Sequence, residues 1–386
     1  MLEKNLLAKV ERLLSQTWGG EVQLAFQSSF EDHPHVARLS VIRAPGGAPA
    51  TIYLKRWRSE GEDRYDPGES SQHLFNDWAS LEFLQNLTGC DAISPQLYGG
   101  SLEDGFLVME DLADDWPLTN LLQPGNPAEA AQTLAAYGRL LGKLHGQTAG
   151  LQDRFIAVRQ SLSREFSVEP ENYNDEFNYT VMDLNRLGYS LPPQALLDLQ
   201  QAAAILTHPG EFSALTQGDA VFTNIIAGQG RWRLVDFEAA RYRHALYEGA
   251  FLRMLFPTSG LLFVRRIPEP AWRQAEAAYR DMLSTYLPAA REDAQYGLAL
   301  TAACAFWILS FYGGWLERAL GDAISSDRLT HLRRCIITRG EIFANTTREF
   351  QALPHLGEFI GGLVDQFRSE WPLDDLELPF YPAFSA

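Results

Sequence analysis

Hydrophobic and polar residues alternate along several short segments near the start of the chain, a pattern typical of strands. The segments are 21–29, 36–44, 50–58, 96–100 and 105–112. Leucines at helical spacing in residues 1–18 predict an amphipathic helix rather than a signal peptide, and residues 72–89 predict a second helix. The first 112 residues therefore predict a small antiparallel sheet that carries one long helix.

The rest of the chain is predicted to be mainly helical. Asn126 as N-cap, Pro127 at the first helical position and Glu129 in a capping-box pattern mark one helix start. Apolar periodicity predicts further helices at 192–206, 269–286, 290–316 and 328–350. Two short strands interrupt this part around the segment that holds Asp219 and Asp236. We therefore expect an α+β fold, divided into residues 1–112 and a helical part, 113–386.

One segment, residues 297–316, has twenty uncharged residues in a row and is long enough to cross a membrane. It also contains Thr301, Ser310, Tyr312 and the pair Gly313-Gly314, and its flanks show no positive asymmetry. The pattern favours a buried core helix, so no membrane partner is expected.

Charge and cysteine content narrow the class further. The net charge of −17 argues against a nucleic-acid partner, which would call for a basic face. Three cysteines without a CxxC pair suggest neither a disulfide framework nor a zinc site. We expect a cytoplasmic protein in a reducing compartment.

Three polar residues lie close together in an otherwise apolar part of the sequence. Asp219 and Asn224 stand five positions apart in QGDAVFTNII, and Asp236 closes the strand-like run in RLVDFEAAR. Buried carboxylates need a compensating cation, and Mg²⁺ prefers carboxylate and amide oxygens. Phosphoryl transfer needs a base near the acceptor and a metal on the phosphates. This spacing therefore predicts Asp219 as the catalytic base and Asn224 with Asp236 as ligands of Mg²⁺.

These motifs resemble those of the aminoglycoside phosphotransferase and choline kinase-like families, relatives of the protein kinases. TIYLKRW is similar to the strand that carries their phosphate-binding lysine, here Lys55, and DWASLEFL resembles the helix whose glutamate pairs with it, here Glu82. GFLVMEDL resembles the hinge, where the backbone of Glu110 and Leu112 would bind adenine behind Met109. The resemblance spans about residues 20–256.

The resemblance implies a two-lobed, protein-kinase-like fold and an enzyme that transfers the γ-phosphate of ATP or GTP to a hydroxyl of a small molecule. Two positions depart from the family pattern. Gln217 stands where the family usually has histidine, and the loop SSFEDHPHV lacks glycines, so Ser28 and Ser29 would donate to phosphate instead. These departures keep open a nucleotide-binding pseudokinase that acts as a regulatory module. Each residue taken singly is also compatible with an ordinary turn or a solvated surface charge.

Acidic residues with aromatic neighbours suggest the acceptor. Residues 165–183 contain six carboxylates and no Lys or Arg, interleaved with Tyr173, Phe177 and Tyr179. Carboxylates and aromatic rings suit a cationic ligand. The substrate candidates are Glu238, Glu171, Asp175 and Glu176, for an aminoglycoside-like, amino alcohol or sugar acceptor. A charge run is also typical of a solvated face.

Overall fold

The computed structural model describes residues 4–29, 35–56, 71–87, 92–112, 117–163, 171–228, 231–321, 326–371 and 377–385. The strands are β1 Gln23–Ser29, β2 Val36–Arg43, β3 Thr51–Arg56, β4 Leu97–Ser101, β5 Phe106–Glu110, β6 Ser213–Thr216, β7 Ile225–Gly228, β8 Arg231–Leu234 and β9 Arg241–His244. The helices are α1 Lys4–Trp18, α2 Ser71–Gln85, α3 Pro127–Thr148, α4 Gln152–Leu162, α5 Tyr173–Arg186, α6 Pro193–Thr207, α7 Leu246–Gly249, α8 Glu269–Ser284, α9 Asp293–Leu320, α10 Ser326–Phe350 and α11 Pro354–Glu370. The predicted α+β class, a small antiparallel sheet with a mainly helical remainder, is confirmed.

The chain forms two units, each assembled from three segments. Unit 1 consists of Met1–Pro117, Leu151–Val168 and Gln217–Arg241. Unit 2 consists of Leu118–Gly150, Glu169–Thr216 and Tyr242–Ala386. The segment with Asp219 and Asp236 thus groups with the sheet in unit 1, whereas the predicted division at residue 112 placed it with the helices.

The core of unit 1 lies between a five-stranded sheet and α1. The strand order is β1-β2-β3-β5-β4, with every neighbouring pair antiparallel. Val10 and Leu14 of α1 pack with Leu39, Ile52 and Leu54 of the sheet, all fully buried. Because side chains alternate along a strand, Lys55 points to the face opposite Leu54. Burial of each of these aliphatic side chains stabilises the unit by about 1.5–3 kcal/mol.

Helix α2 begins at Ser71 and is buried on nearly all sides. Its apolar residues Leu74, Phe75, Trp78 and Leu81 are all buried. The helix packs on α4 and on the short turn Phe237–Ala239 that follows β8. It thus brings its polar positions next to the segment that contains Asp236.

Unit 2 is built around close helix pairs. Helix α3 begins as predicted: the side chain of Asn126 accepts from the backbone N–H of Ala128 at 2.9 Å, and Pro127 occupies the first turn. A Cβ at Gly138 would lie 2.2 Å from the carbonyl oxygen of Ala275 in α8. Glycine therefore permits the close approach of these two helices, which no larger side chain allows.

The long apolar segment forms α9, a core helix of unit 2. In the described residues, α9 alone is long and apolar enough to cross a membrane, and its most apolar stretch has a mean hydropathy of 1.5. However, 78% of its most apolar stretch is buried within the protein. The prediction of a core helix is confirmed. Cys304 in this helix and Cys335 in α10 are free and buried, while Cys90 lies outside the described residues.

Four helices in the described part of the chain have no counterpart in the sequence-based prediction: α4, α5, the short α7 and α11. Helix α5 buries Tyr173, Phe177 and Leu184 on one face and exposes its carboxylates on the other. Asp175 and Glu176 of the acidic run therefore lie on the solvated side of an amphipathic helix.

Candidate active site

Lys55 is buried in unit 1 and has three carboxylates around its ammonium group, of which Asp77 is buried and Asp236 and Glu238 are partly exposed. Its Nζ donates to Asp77 Oδ2 at 2.8 Å and to Asp236 Oδ1 at 2.6 Å, and Glu238 Oε2 lies 3.6 Å away. Burial disfavours the charged ammonium, but the three carboxylates outweigh burial and raise the pKa of Lys55 above its ordinary value. The carboxylates thus favour the charged form of Lys55 and hold it on two sides.

Asp77, and not Glu82, is the acidic partner that α2 provides for Lys55. Asp77 is 1% exposed, and its second oxygen accepts from the backbone N–H of Phe237 at 3.0 Å. Glu82 instead accepts from the indole N–H of Trp78 at 3.1 Å. Two residues five positions apart are separated by about 140° around the helix axis, so Asp77 and Glu82 lie on different faces of α2. The predicted Glu82–Lys55 pair is therefore wrong.

A signal for Asp77 was present in the sequence. Asp77 stands three residues after Leu74 and four before Leu81, at helical spacing within the apolar face of α2. A carboxylate at such a position must have a partner, because burial of an uncompensated charge costs several kcal/mol. Because Asp77 has the spacing of the core-facing residues, the sequence favoured it over the half-buried Glu82 as the partner of Lys55.

Gln217 joins the two segments that carry the proposed chemistry. It is fully buried, and its Nε2 donates to the carbonyl oxygens of Val235 at 2.9 Å and Asp236 at 2.6 Å. Its Oε1 accepts from the backbone N–H of Asp219 at 2.7 Å. The amide therefore both donates and accepts at this position.

The loop after Gln217 fixes Asp219 and Asn224 against each other. The side-chain amide of Asn224 donates to the backbone oxygen of Asp219 at 2.8 Å and lies 3.4 Å from its Oδ2. Gly218 has φ +97°, and a Cβ there would lie 2.4 Å from the carbonyl oxygen of Ala239. Glycine at 218 thus allows the backbone to turn tightly just before Asp219.

Asn224 and Asp236 meet through the hairpin β7–β8. The backbone N–H of Val235 donates to the carbonyl oxygen of Asn224 at 3.0 Å, which places Asn224 across from the residue before Asp236. Asp236 has φ 60° and ψ 61°, a left-handed conformation that few residues other than glycine adopt. The two predicted metal ligands are therefore neighbours in unit 1.

These donors fit Mg²⁺ by their chemistry. An amide oxygen and a carboxylate are hard ligands, and Mg²⁺ commonly takes one or two protein ligands with phosphate oxygens and water. Within the described part of the chain, no group of three or more His, Cys, Asp or Glu residues could hold a metal on its own. Asn224 and Asp236 supply one amide oxygen and one carboxylate of the kind that Mg²⁺ takes.

The predicted hinge and phosphate-contacting residues lie on the five-stranded sheet. Met109 and Glu110 end β5, and Leu112 follows and is buried. The backbone N–H of Glu110 donates to the carbonyl oxygen of Gln96 at 2.8 Å. A backbone contact from Glu110 to adenine would therefore use the carbonyl oxygen of Glu110. Ser28 and Ser29 end β1, and the rest of their loop, residues 30–34, lies outside the described residues.

The predicted acceptor residues fall in different places. Glu238 belongs to unit 1, beside Lys55. Glu171, Asp175 and Glu176 belong to unit 2, where Asp175 and Glu176 are exposed on α5. Glu171 pairs with Arg243, a residue that the sequence-based reasoning did not single out.

We expect Gln217→Leu to damage the site and Gln217→His to preserve it. Leucine leaves a buried backbone N–H and two carbonyls without this partner, which should cost about 1–3 kcal/mol per unsatisfied group. Histidine can donate and accept, so thermal stability and nucleotide affinity should stay near the parent values. Thermal unfolding and calorimetric titration of Mg-ATP on both variants test this. Equal behaviour of the two variants would contradict a positioning role for Gln217.

No protein-family model and no curated protein matches the chain. Solved structures with related architecture include a choline kinase from Streptococcus pneumoniae at 14% identity, covering 88% of this chain and 100% of that chain, with a TM-score of 0.41. A choline/ethanolamine kinase family protein from Mesorhizobium loti shares 13% identity over 92% of this chain and 99% of that chain, with a TM-score of 0.44. An aminoglycoside phosphotransferase, solved as a mutant with ADP and hygromycin B, shares 15% identity over 86% of this chain and 98% of that chain, with a TM-score of 0.36.

Proposed function

We propose that the protein is an ATP-dependent phosphotransferase that moves the γ-phosphate to a hydroxyl of a small molecule. The observation that carries this proposal is the connected group in unit 1. Lys55 is held by Asp77 and Asp236, while Gln217 ties Asp236 to Asp219. This group supplies a phosphate-binding cation, a metal-binding carboxylate and a candidate base, the parts that phosphoryl transfer needs.

Each side chain has a distinct role in this proposal. Lys55 binds the phosphates, and its raised pKa keeps it charged at neutral pH. Asp219 orients the acceptor hydroxyl and takes its proton, with its backbone fixed by Gln217. Asn224 and Asp236 would hold Mg²⁺. When bound, Mg²⁺ would neutralise charge on the phosphate oxygens.

The acceptor in this proposal is a hydroxyl compound such as an aminoglycoside-like antibiotic, an amino alcohol or a sugar. Glu238 is the acceptor candidate with a direct structural link to the site, because it lies 3.6 Å from Lys55. The nucleotide donor in this proposal is ATP, with GTP as the alternative.

Magnesium-dependent nucleotide binding tests the proposal. We expect the parent protein to bind ATP in calorimetric titration with Mg²⁺, and Asp236→Asn to lose at least about tenfold in affinity, because even outer partners of metal ligands contribute 10–100-fold. Glu82→Gln is the matched control, since Glu82 lies on the same unit without contacting Lys55. Parental affinity for Mg-ATP in Asp236→Asn would contradict the metal assignment.

A further inference from the structure

Helix α4 returns the chain to unit 1, where it packs on α2, the helix that supplies Asp77. Its buried residues are Phe155, Arg159 and Leu162, which follow one another at helical spacing. Arg159 is the charged member of this stripe, and it is 1% exposed. A buried charge is unfavourable unless hydrogen bonds compensate it, so the contacts of Arg159 indicate what arginine contributes at this position.

The guanidinium of Arg159 contacts α2 at two successive turns. Its Nε donates to Asn76 Oδ1 at 2.7 Å, and its Nη2 donates to Gln72 Oε1 at 2.6 Å. Its central carbon lies 5.3 Å from the ring centre of Phe75, within the range of a cation–π contact. The two amides stand four positions apart and therefore lie on one face of α2. The planar, fixed geometry of the guanidinium suits two acceptors in this arrangement, whereas an ammonium group is a point charge.

Asn76 extends this contact to the loop of residues 236–239. Its Nδ2 donates to the carbonyl oxygen of Glu238 at 3.0 Å. The next residue of α2, Asp77, accepts from a backbone N–H of the same loop and pairs with Lys55. Two adjacent residues of α2 therefore contact this loop, and one of them is bound in turn by α4.

We propose that Arg159 is a positioning residue of the phosphotransferase site: it holds α2 against the loop of residues 236–239 and so keeps Asp77 within reach of Lys55. An apolar side chain in its place would pack on Phe75 without the cost of burying a charge. The guanidinium thus contributes its two directed hydrogen bonds rather than packing. The effect on catalysis rests on the proposed function, whereas the effect on the surroundings of Lys55 does not.

The surroundings of Lys55 can be measured without turnover. The chain has four lysines, so carbon-13 labelling of the lysine Cε gives few NMR signals, and Lys55→Arg assigns the relevant one. Arg159→Met retains a long side chain but donates no hydrogen bond, so it should shift the Lys55 signal and leave the other three unchanged. Arg154→Met is the matched control, because Arg154 is exposed on the same helix, and all four signals should stay at the parent positions.

Hydrolysis of Mg-ATP, with water in place of the acceptor, tests the same contact in catalysis. Arg159→Met should slow phosphate release at least about tenfold, because small displacements of positioning groups cost up to about a hundredfold. Asn76→Leu is close in size and removes the oxygen to which Arg159 donates, so the rate should fall by a similar factor. Because both residues act through one contact, the double variant should match Arg159→Met within about twofold instead of showing the product of the two losses.

Two outcomes would overturn the proposal. One is a Lys55 signal at the parent position in Arg159→Met. The other is a double variant whose loss of rate equals the product of the single losses, since Arg159 would then act independently of Asn76. Should Arg159→Met fail to fold, Asn76→Leu provides the same NMR test, and an unshifted Lys55 signal in that variant would equally contradict the proposal. A shifted signal together with a parent that releases no phosphate from Mg-ATP would count against the phosphotransferase function alone.

Discussion

Asp219→Asn should leave Mg-ATP binding within about twofold of the parent and reduce phosphoryl transfer by 10²–10⁴-fold, the usual contribution of a positioned general base. Asparagine has almost the same size as aspartate but cannot accept the hydroxyl proton. The contacts that hold the loop are to the backbone of residue 219: its N–H donates to Gln217 and its carbonyl accepts from Asn224. Both contacts survive the substitution, so the geometry of Asn224 and Asp236 should be unchanged.

Single-turnover measurements with a panel of neutral, anionic and cationic hydroxyl acceptors, paired with calorimetric titration of Mg-ATP, separate chemistry from binding. Asp153→Asn serves as the control, since Asp153 is an exposed carboxylate in the first turn of α4. Undiminished transfer by Asp219→Asn would contradict the assignment of the base. A parent that binds Mg-ATP and transfers phosphate to no acceptor would favour the pseudokinase alternative.

Local signals predicted much of the secondary structure. Alternation located the strands, because β2 and β3 each have one buried face. Asn126 and Pro127 marked the start of α3, since capping depends on residues close together in sequence. Helix α5 was not predicted because its apolar positions, Tyr173, Phe177 and Leu184, are outnumbered by carboxylates and asparagines that drew attention to charge instead.

The sequence predicted which residues belong to the candidate site better than it predicted which of their side chains contact each other. Asp219, Asn224 and Asp236 were recognisable by their spacing within one short segment. The partner of Lys55 was harder, because the choice between Asp77 and Glu82 depends on how α2 is rotated about its axis against the sheet. The pairing of Glu171 with Arg243 joins residues 72 positions apart, counted from their numbers, and no local pattern marks it.

The second large effect is expected for a substitution of Asp77, and it tests whether Asp77 or Glu82 is the partner of Lys55. Asp77→Asn should lower the free energy of unfolding by about 3 kcal/mol, the lower end of the range for a buried ion pair that loses one partner. Asp236 still pairs with Lys55 in this variant, which limits the loss. The side-chain oxygen of asparagine can still accept from the N–H of Phe237, so the substitution removes the charge and leaves that contact.

Activity should fall by about a hundredfold in the same variant, because small displacements of a group that positions the reacting atoms have effects of this size. If Asp236 binds metal during the reaction, Asp77 is the partner that keeps Lys55 in place. Glu82→Gln is the matched control: glutamine still accepts from the indole of Trp78, so its stability and kcat should equal those of the parent. Urea unfolding and steady-state kinetics on the two variants would decide between the carboxylates. Loss of activity in Glu82→Gln with parental behaviour in Asp77→Asn would reverse the assignment and restore the pairing that the resemblance implied.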